Sequence, residues 1–313
     1  MLKYSIKRLL LSLITLTVII VIVFSLMRLM PIEGYFQNFE KLDENQINAA
    51  LKSMGLLDPL YIQLWHFFVG LFHGNLGNSQ IYRPNVPVVS IIAEKAPVSI
   101  CMGLASMAIA LLLGIPLGTA MARKKGRFWD KFGTAFIVIV MAVPAAVYYL
   151  YIQLYCTDLF WLPLLFDSSD PYSWILPTLS LSLGNIAYYA MWLRRFMVDE
   201  QNKDYVKLAR AKGVDSKNIM KHHVFWNAFV PLVQYLPSSL LYTISGSIYI
   251  ESLYSVPGMG GLLVDVIQRQ DNNMVQALVL LYSAIGIIGL LLGDLLMHAM
   301  DPRIKLTKKE GAR

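Results

Sequence analysis

The most constraining feature of this chain is a set of six apolar stretches, each 21 to 24 residues long. A bilayer core of roughly 30 Å needs about 20 helical residues, and a segment in lipid must satisfy its own backbone hydrogen bonds. We therefore predict an all-α membrane protein with six transmembrane helices, in which the internal prolines are tolerated as kinks. The six stretches are Leu9–Leu29, Ile100–Ala122, Phe132–Tyr155, Ser173–Leu193, Phe229–Ile250 and Ala277–Met297.

The composition agrees with this prediction and excludes other classes of protein. Hydrophobic residues make up 56% of the 313 residues and charged residues 15%, and the mean hydropathy is +0.53. A chain this apolar is not intrinsically disordered. Its two cysteines, Cys101 and Cys156, lie in apolar runs and do not predict a disulfide framework. The first stretch is too long for a signal-peptide core and lacks a small-residue cleavage site, so we interpret it as a retained anchor.

The distribution of positive charge predicts the orientation of the chain. Of the 27 Lys and Arg residues, 21 lie before the first stretch, in residues 123–131, in residues 194–221 or after residue 300. Cytoplasmic loops of membrane proteins carry an excess of Lys and Arg, so both termini and these loops are predicted to be cytoplasmic. The predicted inner segments carry a net charge of +14 and the remainder carries −7. Topology therefore explains the net charge of +7, and no nucleic-acid partner is needed.

Residues 31–97 form the largest segment predicted to face water outside the cell. Residues 43–54 have the pattern of an amphipathic helix. An aromatic-rich helix is predicted from Asp58-Pro59, which supply an N-cap and a first-turn proline, to Gly74. This helix is short for a span and is expected to lie along the outer interface or to pack on the bundle, with a re-entrant segment as the alternative. The sequence GNLGNSQ at 74–80 is interpreted as a tight turn, because the chain has no GxxxxGK[ST] motif for phosphate.

The sequence shows no pattern of catalytic chemistry. It contains no HExxH or GxSxG motif and no clustered Cys and His residues, so we predict no catalytic residue, metal site or cofactor in this chain. Asp294 and His298 are four residues apart and therefore lie on one helix face. They are interpreted either as a structural pair near the membrane interface or as part of an ion pathway. Arg28 is expected to snorkel from the end of its helix. Two GxxxG pairs indicate close helix packing, at Gly114/Gly118 and Gly289/Gly293.

The basic segment at 194–227 has a helix-forming composition. Asp204 is a candidate N-cap for a helix over 205–212 that Gly213 ends, and Asp215 is a candidate N-cap for a second short helix toward His223. Two short helices joined by a glycine would form a compact projection suited to docking in a cleft of another protein. A solvated basic loop fits the same residues equally well.

The segment DYVKLARAKGVDSKNIMKHHVFWNAFVP at 204–231 resembles the cytoplasmic EAA loop of type I ABC importer permeases, in the form used by peptide permeases. Further matches to the same family follow in order, so that the resemblance covers nearly the whole chain. They are GNLGNSQ (74–80), IAEKAPVSI (92–100), LLLGIPLG (111–118), ESLYSVPGMGGLL (251–263) and Asp301-Pro302-Arg303. The long segment after the first helix is similar to that of the B-type subunit of oligopeptide and dipeptide permeases.

The resemblance implies a permease subunit of an ATP-driven peptide importer in the plasma membrane of a prokaryote. It implies a heterodimer with a second, C-type permease, two ATPase subunits that bind ATP and Mg²⁺, and an extracytoplasmic binding protein that delivers substrate. The residues it implies for coupling to the ATPases are Tyr205, Ala209, Arg210, Ala211, Lys212, Gly213 and Asn227. Ala209 and Ala211 are expected to insert into an ATPase cleft, where shape would outweigh the charges of Arg210 and Lys212.

The element at 251–263 is the expected outer gate, with Glu251 at its mouth. Pro257-Gly258 predicts a rigid turn, and Gly260-Gly261 predicts flexible positions after it. Three interpretations fit this composition: the element re-enters the bundle, it shapes the outer gate, or it is an ordinary connecting turn. The substrate path is expected to be lined by the third and fifth stretches. The implied domains are an anchor (1–30), an extracytoplasmic segment (31–97), a five-helix permease core (98–300) with the coupling loop 194–228, and a cytoplasmic tail (301–313).

The sequence departs from the family pattern at three places, and it does not identify which cargo is carried. The departures are Lys207-Leu208 in place of Glu-Ala, Trp226 in place of a proline that here stands at Pro231, and Pro31-Ile32-Glu33-Gly34 in place of Pro-Gly-Asp/Thr-Pro. Relatives in such a family also carry nickel or metal chelates, glutathione and haem precursors. Two alternatives belong to other classes: an ion-coupled secondary transporter, and a membrane scaffold that would need no docking projection.

Overall fold

The chain is helical throughout the part that the structure describes. The computed structural model describes residues 2–36 and 39–300, with side chains from residue 6 onward. These ranges contain fifteen α-helices and no β-strand, apart from an isolated bridge between Asn78 and Pro87. The Asp301-Pro302-Arg303 motif and the predicted tail lie outside the described residues. The helices are α1 (Leu2–Met27), α2 (Glu44–Ser53), α3 (Leu60–Phe72), α4 (Val88–Arg123), α5 (Phe128–Ala142), α6 (Ala145–Tyr151), α7 (Thr157–Phe160), α8 (Ile175–Gln201), α9 (Asp204–Ala211), α10 (Ser216–Asn218), α11 (Trp226–Val233), α12 (Leu236–Ile244), α13 (Ile248–Tyr254), α14 (Met259–Gln268) and α15 (Asn272–Met300).

Three described helices are long and apolar enough to cross a bilayer, namely Ile6–Met27 within α1, α4 and α15. Two bent pairs also qualify if each is counted as one span: α5 with Ala145–Phe160, and Leu236–Tyr254 with α14. The fourth predicted stretch lies within α8, which is 27 residues long but is not among these candidates. The all-α membrane fold is confirmed, and the number of six spans remains a prediction.

The third predicted span is not one continuous helix. α5 ends at Ala142 and α6 begins at Ala145, and the two arms are bent by 108°. Pro144 precedes α6, and Val143 has the extended backbone (ψ 130°) that a following proline favours. Proline lacks the N–H that would continue the helix. The prediction of one helix over Phe132–Tyr155 is therefore wrong, because the proline breaks the helix instead of kinking it.

The fifth predicted span, Phe229–Ile250, is divided among α11, α12 and α13. Pro237 lies in the first turn of α12, so this helix starts anew after α11. Gly246 has φ +92°, a conformation that favours glycine, and it separates α12 from α13. The prediction of one kinked helix is wrong here as well. A second bend, of 69°, separates Leu236–Tyr254 from α14.

α4 and α8 form the most extensive helix pair among the described residues. The GxxxG pair on α4 lets the two backbones approach, since a Cβ at Gly118 would lie 2.7 Å from the carbonyl oxygen of Ala190. α8 continues through residue 201, so residues 194–201 belong to this helix and not to the predicted loop. Arg194, in this last part of α8, pairs with Asp130 of α5 through Nε–Oδ1 (2.5 Å) and Nη2–Oδ2 (3.0 Å) contacts.

The GxxxG pair on α15 packs against α12 and the residues just before it. A Cβ at Gly289 would lie 2.8 Å from Cα of Ser238, and a Cβ at Gly293 would meet the carbonyl oxygen of Gln234. Both GxxxG pairs therefore face helices of this same chain. The interpretation of these pairs as packing sites is confirmed.

The segment between α1 and α4 contains both predicted short helices. α2 is stabilised at its start by a hydrogen bond from the backbone N–H of Asp43 to Oε1 of Gln46 (3.1 Å). α3 follows Pro59, so the prediction of Asp58 as its N-cap is wrong by one residue. Its predicted end is confirmed, because Gly74 has φ +71°.

Two buried clusters join helices that are distant in sequence. One joins α4, α8, α9 and α11, and it includes Leu193, Met197, Val206, Val224 and Leu232. The other joins the end of α1 to α4, α14 and α15, and it includes Met27, Ile91, Leu262, Val266 and Leu278. The predicted coupling helix therefore shares a core with the membrane helices.

Candidate coupling segment, outer element and cavity

The predicted docking projection consists of α9, Gly213 and the short helix α10. Gly213 has φ +78°, the left-handed region that favours glycine. The backbone N–H groups of Gly213 and Val214 donate to the carbonyl oxygens of Arg210 (3.0 Å) and Ala209 (3.1 Å), which closes the helix. The predicted end of the first short helix is confirmed.

Of the two N-caps predicted for this projection, one is confirmed and the other is wrong. Asp215 accepts hydrogen bonds from the backbone N–H groups of Lys217 (2.9 Å) and Asn218 (3.4 Å), as predicted. Asp204 is not a cap, since Lys203 holds that position. Instead, Oδ1 of Asp204 pairs with Nζ of Lys207 at 2.9 Å, and this hydrogen bond and charge lower the pKa of the Asp204 carboxyl.

The hydroxyl group of Tyr205 connects three parts of this segment. It donates to the carboxylate of Glu200 near the end of α8 and accepts a hydrogen bond from Nδ2 of Asn227 at 2.9 Å. The same amide group of Asn227 donates to the carbonyl oxygen of His223 at 2.7 Å. Burial first, and then the hydrogen bond to Glu200, raises the pKa of Tyr205 to about 12. The structure thus brings together Tyr205 and Asn227, two residues predicted for coupling.

The other predicted coupling residues divide into a buried and an exposed set. Ala209 is only 8% exposed and packs with Val206 in the core shared with α8 and α11. Their spacing of three residues places them on one helix face. This placement differs from the expectation that Ala209 inserts into a partner. Leu208 is 55% exposed, and the predicted coupling residues Arg210, Ala211, Lys212 and Gly213 are exposed as well.

Glu251 is buried on α13, with 3% exposure, and does not lie at the mouth of the outer element. Its Oε1 accepts a hydrogen bond from Oγ of Ser99 (2.8 Å), and its Oε2 accepts one from the backbone N–H of Gly261 (2.8 Å). Oγ of Ser99 in turn accepts from the backbone N–H of Met259 (2.8 Å). One buried carboxylate therefore joins α4, α13 and the start of α14.

Three glycines surround this carboxylate. A Cβ at Gly246, Gly258 or Gly260 would meet the side chain of Glu251, and at Gly258 it would also meet Oγ of Ser99. Gly260 is therefore packed and does not match the flexible position predicted for it. Gly261 has ordinary space, since the nearest atom to its Cβ would lie 3.7 Å away. The element that follows Pro257 is thus a packed bend between two apolar helices.

A cavity of about 600 Å³ lies among α5, α6, α8 and α12. Oδ1 of Asn185 accepts from Oγ of Ser239 (3.4 Å), and Nδ2 of Asn185 donates to Oγ1 of Thr243 (3.3 Å). The third and fifth stretches supply walls, as expected for the substrate path, but α8 supplies a wall that the sequence did not indicate. The lining includes no charged residue; it consists of Val140, Met141, Tyr149, Leu181, Gly184, Asn185, Tyr188, Tyr235, Ser238, Ser239, Tyr242, Thr243, Gly246 and Ser247.

Asp294 is held by Arg8 of α1 and by Gln234, which lies between α11 and α12. Its Oδ2 lies 2.5 Å from Nη2 of Arg8 in α1, and its Oδ1 accepts from Nε2 of Gln234 at 3.0 Å. Asp294 is 6% exposed. These contacts favour the structural interpretation of Asp294, with a partner far away in the sequence.

Comparison with known proteins decides the family. Residues 114–306 match the family model described as the binding-protein-dependent transport system inner membrane component, and residues 1–103 match the model of the N-terminal region of such membrane components. The chain belongs to this family. The family is a membrane component of transport systems and not itself an enzyme, and its members work with a binding protein and an ATPase. The chain is therefore a multi-pass protein of a bacterial plasma membrane.

Curated relatives of this permease cover most of its length. The chain is 32% identical to the dipeptide transport system permease protein DppB of Lactococcus lactis subsp. cremoris, over 98% of this chain and 100% of the relative. It is 34% identical to the glutathione transport system permease protein GsiC of Salmonella typhimurium, over 97% and 99%. It is 38% identical to the oligopeptide transport system permease protein AmiC of Streptococcus pneumoniae, over 67% of this chain and 42% of that protein.

A solved structure shares the fold of this permease. The MetNI methionine ABC transporter, in an inward-facing conformation, contains a chain that aligns with a TM-score of 0.56. The alignment covers 68% of this chain and 97% of that chain, with 13% sequence identity. At this identity the likeness shows the fold alone.

Sequence reasoning missed three residues that organise this permease: Ser99, Asp130 and Asp271. Ser99 and Asp130 carry no local signal, because their partners Glu251 and Arg194 lie far away in the chain. Asp271 had a signal, since it directly precedes the apolar helix α15 and its Oδ1 accepts from the backbone N–H of Met274 (3.2 Å). An N-cap search before each predicted span would have found it.

Proposed function

We propose that this chain is the B-type permease subunit of an ATP-driven importer that carries peptides into the cell. The observation that carries the proposal is the continuity between the exposed coupling projection and the cavity. α9 shares a core with α8 and α11, and α8 also forms a wall of the cavity. A displacement of α9 is therefore passed to the cavity through packed side chains. The proposal includes six spans with both termini in the cytoplasm.

The proposed partners are a C-type permease, two ATPase subunits and an extracytoplasmic binding protein. ATP and Mg²⁺ would be bound by the ATPase subunits, and this chain would need no cofactor. The exposed face of Leu208, Ala211 and Gly213 would dock in a cleft of an ATPase, with Arg210 and Lys212 at the rim. ATP-driven closure of the ATPases would then move the helices as rigid bodies between inward-open and outward-open states.

The proposed cargo follows from the chemistry of the cavity. Its tyrosine, serine, threonine and asparagine side chains offer hydrogen bonds to peptide groups. Because no lining residue is charged, the cavity does not select cargo by the charge of its side chains. Relatives named for dipeptide and oligopeptide transport support this choice. Glutathione-like cargo is the second candidate, because a relative that aligns over nearly the whole chain is named for glutathione transport.

Replacing each of two alanines by tryptophan tests the coupling proposal. Ala211→Trp adds bulk on the exposed face and is expected to abolish ATPase binding and substrate-stimulated ATP hydrolysis while membrane abundance stays normal. Ala209→Trp adds bulk in the core and is expected to lower membrane abundance itself. Gly213→Val is expected to have the same effect as Ala211→Trp, because valine adopts the positive φ of this position only at a steric cost. Arg210→Ala should have a milder effect, since charges at the rim of an interface are typically worth under about 1 kcal/mol.

The measurements are pull-down of the ATPases and hydrolysis with and without loaded binding protein. Full coupling by both Ala211→Trp and Gly213→Val would show that the projection is not the docking element. Uptake that persists without any ATPase would refute the importer proposal and favour an ion-coupled transporter. Competition of labelled dipeptide uptake by glutathione separates the two cargo candidates.

A further inference from the structure

A second, smaller cavity of about 210 Å³ lies between α1, α3 and α15, away from the proposed substrate path. Its polar lining carries hydrogen-bond donors and no acidic side chain: Arg28, His66, Asn75, Asn273 and Gln276. Phe67, Gly70, Leu76, Gly77 and Ala277 complete the wall. Nothing in the coupling or transport proposal uses this cavity.

Arg28 carries an unneutralised charge beside this cavity. Its guanidinium lies 4.5 Å from the ring centre of Phe24, and its Nη1 donates to the hydroxyl group of Tyr35 at 2.6 Å. Its Nε is buried and has no hydrogen-bond partner among the described residues. No carboxylate of the described residues forms an ion pair with it. A guanidinium with an open donor is a strong site for a carboxylate or phosphate group.

Gln276 provides a second and independent indication. It is only 5% exposed, lines the cavity from α15, and its side-chain amide has no hydrogen-bond partner among the described residues. The amide atoms keep accessible surface in the cavity, so they are available to a ligand that enters it. The amide Nδ2 of Asn75 is also available, since only its Oδ1 is used, as the acceptor for the backbone N–H of Gly77 (2.8 Å).

The position of the cavity indicates where such a ligand comes from. The apolar segment Ile6–Met27 ends one residue before Arg28, so Arg28 lies at the depth of the lipid headgroups whichever way the chain is oriented. Beside it, α3 exposes Trp65 (68%) and Phe72 (86%), and Leu29 is 82% exposed. An apolar surface that borders a cationic cavity at this depth matches acyl chains below a phosphate.

We propose that the cavity formed by Arg28, His66, Asn75 and Gln276 binds a phosphate-bearing anion, supplied by an anionic phospholipid of the leaflet at this end of α1. The guanidinium of Arg28 would hold the phosphate oxygens, and the amides of Asn75 and Gln276 would add neutral donors. The bound lipid would fill the space between α1 and α3, which touch through the rings of Phe24 and Phe67 at 5.2 Å. Binding needs only the membrane and does not depend on the transport proposal.

The test is lipid binding by the full-length chain, purified with the subunits that accompany it and stripped of lipid in detergent. Phosphatidylglycerol and diacylglycerol, which has no phosphate, are added separately, and bound lipid is counted by native mass spectrometry. The wild-type chain should bind phosphatidylglycerol about tenfold more tightly than diacylglycerol, since a charge-assisted bidentate contact to the phosphate is of that size. Arg28→Gln should remove this preference, and Gln276→Leu should weaken it.

Arg83→Gln is the matched control, because it removes the same charge from a residue that is already paired with Glu94. It should keep the preference for phosphatidylglycerol. An Arg28→Gln chain that keeps the preference would overturn the proposal. Gln276→Leu and Asn75→Leu give the same test if Arg28→Gln does not fold, and an unchanged preference in both would overturn it as well.

A second arm distinguishes the lipid from free phosphate. Inorganic phosphate is added to the lipid-free chain, and the midpoint of thermal unfolding is measured for the wild type and for Arg28→Gln. Stabilisation of the wild type alone, without any preference among lipids, would keep the anion site and assign it to free phosphate. If neither lipid nor phosphate distinguishes the two chains, the cavity is not an anion site.

Discussion

Oδ2 of Asp271 accepts a hydrogen bond from Oγ of Ser79 at 2.6 Å, across 192 residues of sequence. The same oxygen accepts from the backbone N–H groups of Gln80 (3.1 Å), Ile81 (3.0 Å) and Tyr82 (3.0 Å). Asp271 has no exposed surface. The turn that precedes α4 is therefore fixed to the start of α15 by one buried carboxylate.

Asp271→Asn should destabilise this permease. The new amide would present N–H donors to backbone N–H donors, and unsatisfied buried groups cost roughly 1–3 kcal/mol each. We expect a lower midpoint of thermal unfolding in nanodiscs and faster proteolysis at residues 79–87. Asp265→Asn is the control, because Asp265 is exposed on the neighbouring α14. Equal midpoints for the two variants would contradict the role given to Asp271.

Gly258→Ala should reduce the amount of folded protein in the membrane. Its Cβ would meet Oγ of Ser99 and Cδ of Glu251, and overpacking of this kind costs roughly 1–3 kcal/mol. Gly261→Ala is the matched control, because its Cβ would have no atom closer than 3.7 Å. Quantitative immunoblotting of membranes compares the two. Normal abundance of the Gly258→Ala protein would mean that the bend is loosely packed.

Tyr205→Phe should weaken coupling without preventing membrane insertion. The substitution removes the hydroxyl group that joins Glu200 to Asn227, so α9 would be held less firmly to α8. We expect lower substrate-stimulated ATP hydrolysis by the reconstituted complex at normal subunit stoichiometry. If the Tyr205→Phe complex hydrolyses ATP at the wild-type level, the hydroxyl group has no part in coupling.

The effect of Tyr205→Phe should not depend on pH in the physiological range. Because the pKa of Tyr205 is raised to about 12, from about 10 in an unfolded chain, the contribution of the neutral phenol is fully present below pH 10. It is lost only as the pH rises through 12. The ratio of wild-type to variant hydrolysis should therefore be constant from about pH 6 to pH 9. A ratio that changes within this range would contradict the assignment.

Arg8→Gln should destabilise the contact between α1 and α15, and Asp294→Asn should partly rescue it. Removing Arg8 leaves the buried Asp294 carboxylate without its cation. The expected loss is roughly 1–3 kcal/mol, less than for a fully buried pair because the Arg8 side chain is 38% exposed. In the double variant an amide faces an amide, and the buried charge is gone. A double variant less stable than Arg8→Gln would exclude this explanation.

The sequence predicted the coupling segment well where the signals were local. The end of α9 at Gly213 and the cap at Asp215 each depend on one residue and its immediate neighbours, so the composition was sufficient. Asp204 was misjudged as a cap because a nearby lysine, Lys207, competes for its carboxylate. The burial of Ala209 could not be read from the composition of α9, since it depends on which face meets α8 and α11.

By itself, the sequence determined that the chain is a helical membrane protein with a basic, helix-forming segment at 194–227, because apolar length, charge and short motifs are properties of contiguous residues. Tertiary structure alone decided where the helices break and which polar groups are buried. Pro144 was compatible with a kink as well as with a break, and the structure shows that α5 ends at Ala142 and α6 begins at Ala145. The partners of Glu251 and Asp271 lie 152 and 192 residues away. Contacts at such separations are set by the fold, because nothing in the local sequence specifies which distant donor a buried carboxylate will meet.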